Sequence, residues 1–155
     1  METSVLRNQT FDKLKVGDSA SLVRIVGRDD IDLFAAVSGD VNPAHLDATF
    51  AATDLFGHVV AHGMWTAALV SAVLGTKLPG PGTIYLGQDL RFLRPVAPGD
   101  TITVTVSVKE KRLDPKRPKH GIVVEACEVM NQFGEVVLVC EHILLVEKRV
   151  LPAAG

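Results

Sequence analysis

Cysteine is scarce in this sequence, with two residues in 155. A disulfide-stapled scaffold is thereby excluded, and no CxxC or CxxH spacing offers a structural zinc site. Charge of one sign is also lacking. Sixteen basic residues stand against 18 acidic ones, a net charge of −2, which argues against a dedicated nucleic-acid binder. No run of 18 apolar residues occurs, because the longest stretch, residues 59–74, is interrupted by His62, Gly63, Thr66 and Ser71, so no helical membrane span is expected. The opening METSVLRNQT has no apolar leader segment, and a cytoplasmic location is the expectation. Two chemistry-bearing motifs are missing as well. No Gly-x-Ser-x-Gly elbow is present, and Gly80-Pro81-Gly82-Thr83 is no phosphate loop, since its prolines remove donors and no Gly-Lys-Ser/Thr follows.

What remains is an ordinary globular composition, 47% hydrophobic and 22% charged. A chain of this length makes one domain and buries roughly 68–70% of its unfolded surface without needing a staple. The first dozen residues read as a tail. Residues 20–26 alternate as a strand. Residues 29–37 form a short amphipathic helix with Asp29 and Asp30 at its start, and residues 47–54 hold one or two helical turns. Residues 63–76, GMWTAALVSAVLGT, are apolar nearly all round and predict a buried helix that Gly75 would end. Strands follow over residues 83–96, 101–108, 121–130 and 135–147, with a charged loop at 111–120. Ile102, Val104, Val106 and Val108 alternate with Thr101, Thr103, Thr105 and Ser107, the pattern of a strand with one buried face. Cys127 and Cys140 sit in apolar strand runs and are expected as buried, reduced thiols. One helix covering at least four antiparallel strands is an α+β architecture.

Polar residues concentrate between Asp40 and His62. Asp40 and His45 are five residues apart on a segment bent by Gly39 and Pro43. A carboxylate and an imidazole aimed at one spot can hold a water and move its proton near neutral pH. The same Asp-Val-Asn-Pro run also fits a plain turn with a helix cap. Next comes Ala61-His62-Gly63-Met64, at the start of the apolar helix. A helix N-terminus offers unpaired N–H groups, and glycine there lets a ligand oxygen approach the main chain.

Together, Ser38-Gly39-Asp40-Val41-Asn42-Pro43-Ala44-His45 and His62-Gly63-Met64 resemble the MaoC-like hydratases of the hot-dog fold, most nearly the (R)-specific enoyl-CoA hydratases. The likeness continues through Ile84-Tyr85-Leu86-Gly87-Gln88 and Pro98-Gly99-Asp100, and covers about residues 12–148 of a single domain. It implies a central helix wrapped by a curved antiparallel sheet and a homodimer with sheets edge to edge. It implies hydration of trans-2-enoyl thioesters to (3R)-hydroxyacyl thioesters, or the reverse, on coenzyme A or on acyl-carrier protein, with neither metal nor other cofactor. Carried over, Asp40 and His45 form the catalytic dyad and Gly63 supplies the oxyanion N–H. Asn42 supports the dyad or its water. His62 orients the oxyanion loop, with Met64 beside it. Ser71 matches a polar helix position near the dyad in some relatives, or is a small packing residue.

Other readings stay open at this level. His58 and His62 have a helical metal-site spacing, with His45 as a third ligand, but the Glu of HExxH is missing. A hot-dog thioesterase usually carries a carboxylate on the central helix, and residues 63–76 have none. A silent partner subunit is the non-enzymatic alternative. The segment 109–119, with six basic residues against two acidic, could meet substrate phosphates or be a solvated hairpin, and Arg91 and Arg94 share that ambiguity. Trp65 is expected in the core, or else narrowing the acyl tunnel.

Overall fold

The computed structural model describes residues 6–149. Among these residues, five strands form one antiparallel sheet: β1 Ser19–Ile25, β2 Ile84–Phe92, β3 Thr101–Leu113, β4 His120–Met130 and β5 Val136–Glu147, in the order β1-β3-β4-β5-β2. Before β2 come the helices α1 Arg28–Ser38, α2 Pro43–Leu46, α3 Ala48–Ala51 and α4 Gly63–Thr76. The alternation expected of β3 holds: Ile102, Val104, Val106 and Val108 are all buried. They share one core with Val70, Val73 and Leu74 of α4 and with Val123, Leu138 and Leu144 of β4 and β5. Register shifts at Tyr85/Gly87, Val108/Glu110 and Val129/Met130 interrupt three of the ladders. Bulges of this kind increase local twist and bend a sheet.

The structure corrects the sequence reading in four places. The tail read over the first dozen residues falls outside the described residues at 1–5, and from Arg7 onward it is no tail. Its backbone bonds to Thr76, Pro79 and Glu147, and Phe11 and Leu14 are buried. Phe11 lies so close to Gly121 that a Cβ there would sit 2.2 Å from its ring, so the glycine admits the aromatic. Secondly, β3 runs on to Leu113 through the stretch read as loop, pairing Lys111 with Val123 and Arg112 with Ile122. The ladder is made by the main chain and tolerates charged side chains on its open face. Thirdly, α4 passes through Gly75 and is capped by the Lys77 N–H on Val73. Its end comes from Pro79, which disfavours helical geometry at Leu78. Finally, α4 is buried on most sides but not all, because Met64, Ala68, Ser71 and Gly75 form an exposed stripe beside β2. Small residues on that stripe made the helix look apolar all round.

Candidate active site

Each dyad residue is fixed by short-range geometry. Gly39, at φ 77°, ends α1 in the left-handed region that glycine tolerates. The Asp40 N–H then donates to Ser38 Oγ at 3.1 Å, and Asp40 Oδ1 accepts from the Asn42 N–H at 3.2 Å. Asn42 Oδ1 caps α2 by accepting from the Ala44 N–H at 3.0 Å, with Pro43 opening the helix. That one-turn helix carries His45. The turn-and-cap reading and the catalytic reading of this motif are therefore compatible, since the cap aims the imidazole.

His45 Nδ1 lies 2.7 Å from the Val60 carbonyl. A carbonyl only accepts, so Nδ1 carries the hydrogen and Nε2 holds a free lone pair in the neutral ring. Nε2 faces Asp40 Oδ2 at 3.9 Å. That gap is too wide for a direct hydrogen bond, and it suits one oxygen held between the two groups. His62 is buried beneath them, 2% exposed. Its Nε2 donates to the Asp40 carbonyl at 2.9 Å, and its ring lies 3.9 Å, centre to centre, from that of His45. His62 therefore braces both dyad members, a more direct role than orienting the loop before α4. Its Nδ1 is buried without a hydrogen-bond partner among the described residues.

Across the gap, Gly63 begins α4. Among the described residues, its N–H has no hydrogen-bond partner, as expected in a first helical turn. A Cβ on Gly63 would lie 2.8 Å from the Phe92 ring, so the close approach needs glycine. Asp40, His45, His62, Gly63 and Met64 all line one cavity of about 430 Å³, whose other wall includes Phe92, Arg94 and Val96. A larger trough of about 700 Å³ lies on the outer sheet face and touches none of these. Asn42 does not line the dyad cavity. Ser71 lines a neighbouring groove of about 460 Å³ with Tyr85 and Gln88, and Met64 and Phe34 lie on that groove's wall too. Sequence reasoning missed Phe92 as a site residue; its nearness to Gly63 depends on β2 folding back beside α4.

The rival features fall elsewhere. His58 is exposed and stands outside the one cluster able to hold a cation among the described residues, Asp40, His45 and His62, whose ligand atoms lie within 4.8 Å of one another. Trp65 is buried in the core. The basic hairpin tip lies at the far end of the β3–β4 ladder from Thr103 and Met130, about 30 Å away at the usual rise per residue. Several cations of the 109–119 segment are already paired, as in Lys109–Glu141, with Lys109 within β3, and Arg117–Asp114 at the tip. Arg94 is paired too, with Glu135 at 3.7 Å, but it stands at the rim of the dyad cavity.

Residues 8–130 match the family described as "MaoC like domain". The chain belongs to the MaoC-like family. An (R)-specific enoyl-CoA hydratase of Rhodospirillum rubrum is 52% identical over 98 residues, covering 63% of this chain and 68% of the relative. A 3-hydroxybutyryl-CoA dehydratase of Methylorubrum extorquens is 43% identical over 144 residues, 93% and 88% of the two chains. Among solved structures, the R-hydratase PhaJ1 of Pseudomonas aeruginosa in its unliganded form superposes with a TM-score of 0.81 at 44% identity, covering 97% of each chain. The fold of this MaoC-like protein is thus the hot-dog fold that the resemblance implied, in keeping with the α+β reading of its helix-then-strands order, and the arrangement around Asp40 and His45 sits within it.

Proposed function

We propose that this protein is a hydro-lyase that adds water to trans-2-enoyl-CoA thioesters to give (3R)-hydroxyacyl-CoA, and catalyses the reverse dehydration. The observation carrying the mechanism is the free lone pair of His45 Nε2 held 3.9 Å from Asp40 Oδ2. A water between them donates one hydrogen to each group. The thioester carbonyl draws electrons from C3, and the water oxygen bonds there as His45 Nε2 takes its proton. Charge builds on the thioester oxygen, where the Gly63 N–H and the α4 dipole stabilise it. One such donor is worth about 2.7–4 kcal/mol. The imidazolium, held by Asp40, then returns the proton to C2 on the same face. No atom is left over, and no step calls for a metal or a redox cofactor.

The relatives acting on coenzyme A thioesters support that carrier, and Arg94 at the cavity rim gives a phosphate a cation to meet. A 3-hydroxyacyl-[acyl-carrier-protein] dehydratase of Arabidopsis thaliana mitochondria is 36% identical over 89 residues, so acyl-carrier protein is the second carrier to try. We further propose a homodimer. β2 is an edge strand with exposed Ile84, Leu86 and Phe92, and an apolar edge of this kind invites pairing with another strand. No helix among the described residues is long and apolar enough to cross a membrane, in keeping with a cytoplasmic enzyme. The test is turnover of crotonyl-CoA by purified wild type, His45→Ala and Asp40→Asn. Each variant is expected to lose about 10²–10⁴ in kcat while keeping its fold. Activity surviving in His45→Ala would remove the assigned base.

A further inference from the structure

A polar network on the inner face of the sheet plays no part in this mechanism. Glu125 and His142, opposite each other on β4 and β5, are both 0% exposed and joined at 2.9 Å. His142 Nδ1 lies 3.7 Å from Cys140 Sγ. The Tyr85 hydroxyl donates to Gln88 Oε1 at 2.5 Å, and Cys140 Sγ reaches the same oxygen at 3.9 Å. Both donors therefore converge on the amide oxygen of Gln88. Its Nε2 has no hydrogen-bond partner among the described residues, and Gln88 is exposed. Ser71 Oγ, on the facing stripe of α4, has none either. Both residues line the groove that adjoins the dyad cavity at Met64. The groove is otherwise walled by apolar side chains such as Phe34, Ala67 and Leu86, and no cation lines it.

We infer that this groove is an acyl subsite for chains bearing a neutral oxygen substituent, a hydroxyl or oxo group, beyond the reacting double bond, with Gln88 Nε2 and Ser71 Oγ as its donors. This rests on the hydratase reading above. An all-carbon tail in the groove would cover two donors and leave them unpaired, which is costly. A carboxylate tail would meet no positive partner. The Glu125–His142–Cys140–Tyr85 chain, buried from Glu125 to Cys140 and exposed at Tyr85, acts through Gln88, holding its amide oxygen inward and its NH₂ outward.

The experiment measures kcat/KM on the full-length protein for two matched pairs: trans-2-hexenoyl-CoA with its 6-hydroxy derivative, and trans-2-octenoyl-CoA with its 8-hydroxy derivative. In wild type, the hydroxylated member of at least one pair should be favoured, by about two- to tenfold for one net hydrogen bond. Gln88→Met should reverse that preference, and Ser71→Ala, on the exposed stripe of α4, should reduce it and keeps the test decisive if the Gln88 variant does not fold. A wild type that favours the plain chain in both pairs, or variants that leave the ratios unmoved, overturns the inference. Crotonyl-CoA, which ends one carbon past the double bond, reports separately on the hydratase reading. If it is not hydrated, calorimetric binding of hexanoyl-CoA against 6-hydroxyhexanoyl-CoA decides the subsite alone, and tighter binding of the plain chain rejects it.

Discussion

The Nδ1–H of His45 is committed to the Val60 carbonyl, so a neutral imidazole has one tautomer to offer and its base faces Asp40. Sequence reading placed both residues at one site without saying which would take the proton; that assignment needed the position of Val60, fifteen residues away. Gly63 is tested in the same spirit. Gly63→Ala forces either the Phe92 ring or the first turn of α4 to move, given the 2.8 Å approach. The expected result is a loss of about a hundredfold in kcat/KM, typical for a displaced oxyanion donor, with the thermal midpoint changed by a few degrees at most. Circular dichroism melts alongside steady-state kinetics check both parts. A variant with full activity would mean that the α4 terminus does not hold the thioester oxygen.

At the scale of the strand, β4 and β5 place two ionisable groups where strand patterning would put apolar ones. Burial raises the Glu125 carboxyl above its usual range, more than His142 lowers it. A carboxyl whose folded pKa lies above its unfolded value, about 4.3, costs no stability below that value and progressively more as pH rises through the folded one. Gln at this position keeps an acceptor for His142 and cannot ionise. Glu125→Gln should therefore gain stability relative to wild type as pH climbs from 4 towards 8, measured as the difference in urea midpoints; a difference that shrinks over that range contradicts the assignment. Burial also raises the neighbouring Cys127 thiol to about 12, and Cys127 faces Cys140 across the ladder, both free. Their buried, reduced state was legible in the apolar runs around them. The polar network was not, because Glu125, His142, Tyr85 and Gln88 lie on three strands and meet only through register. Likewise the β3 extension was hidden by Lys111 and Arg112, whose charge says nothing about backbone pairing.

For the whole molecule, the order of one apolar helix before four strands was enough to indicate an α+β sheet covered by a helix, the resemblance to the MaoC-like family added the hot-dog wrapping, and the Asp40–His45 and His62–Gly63 motifs pointed to residues that line one cavity. None of these revealed that Phe11 and Leu14 join the core, since the residues before them carry no periodic pattern. Nor did they indicate what pairs with the edge of β2. The proposed dimer does, and light scattering on the purified protein should give twice the 16.6 kDa chain mass. The double substitution Ile84→Lys and Leu86→Lys on the β2 edge should lower it to one; a monomeric wild type would leave that edge without an occupant. The central claim concerns the bond made at C3. Wild-type enzyme incubated with crotonyl-CoA should consume the conjugated enoyl absorbance, release no free thiol and yield (3R)-hydroxybutyryl-CoA by chiral analysis. Release of coenzyme A with the double bond intact, or a product of the opposite hand, would contradict it.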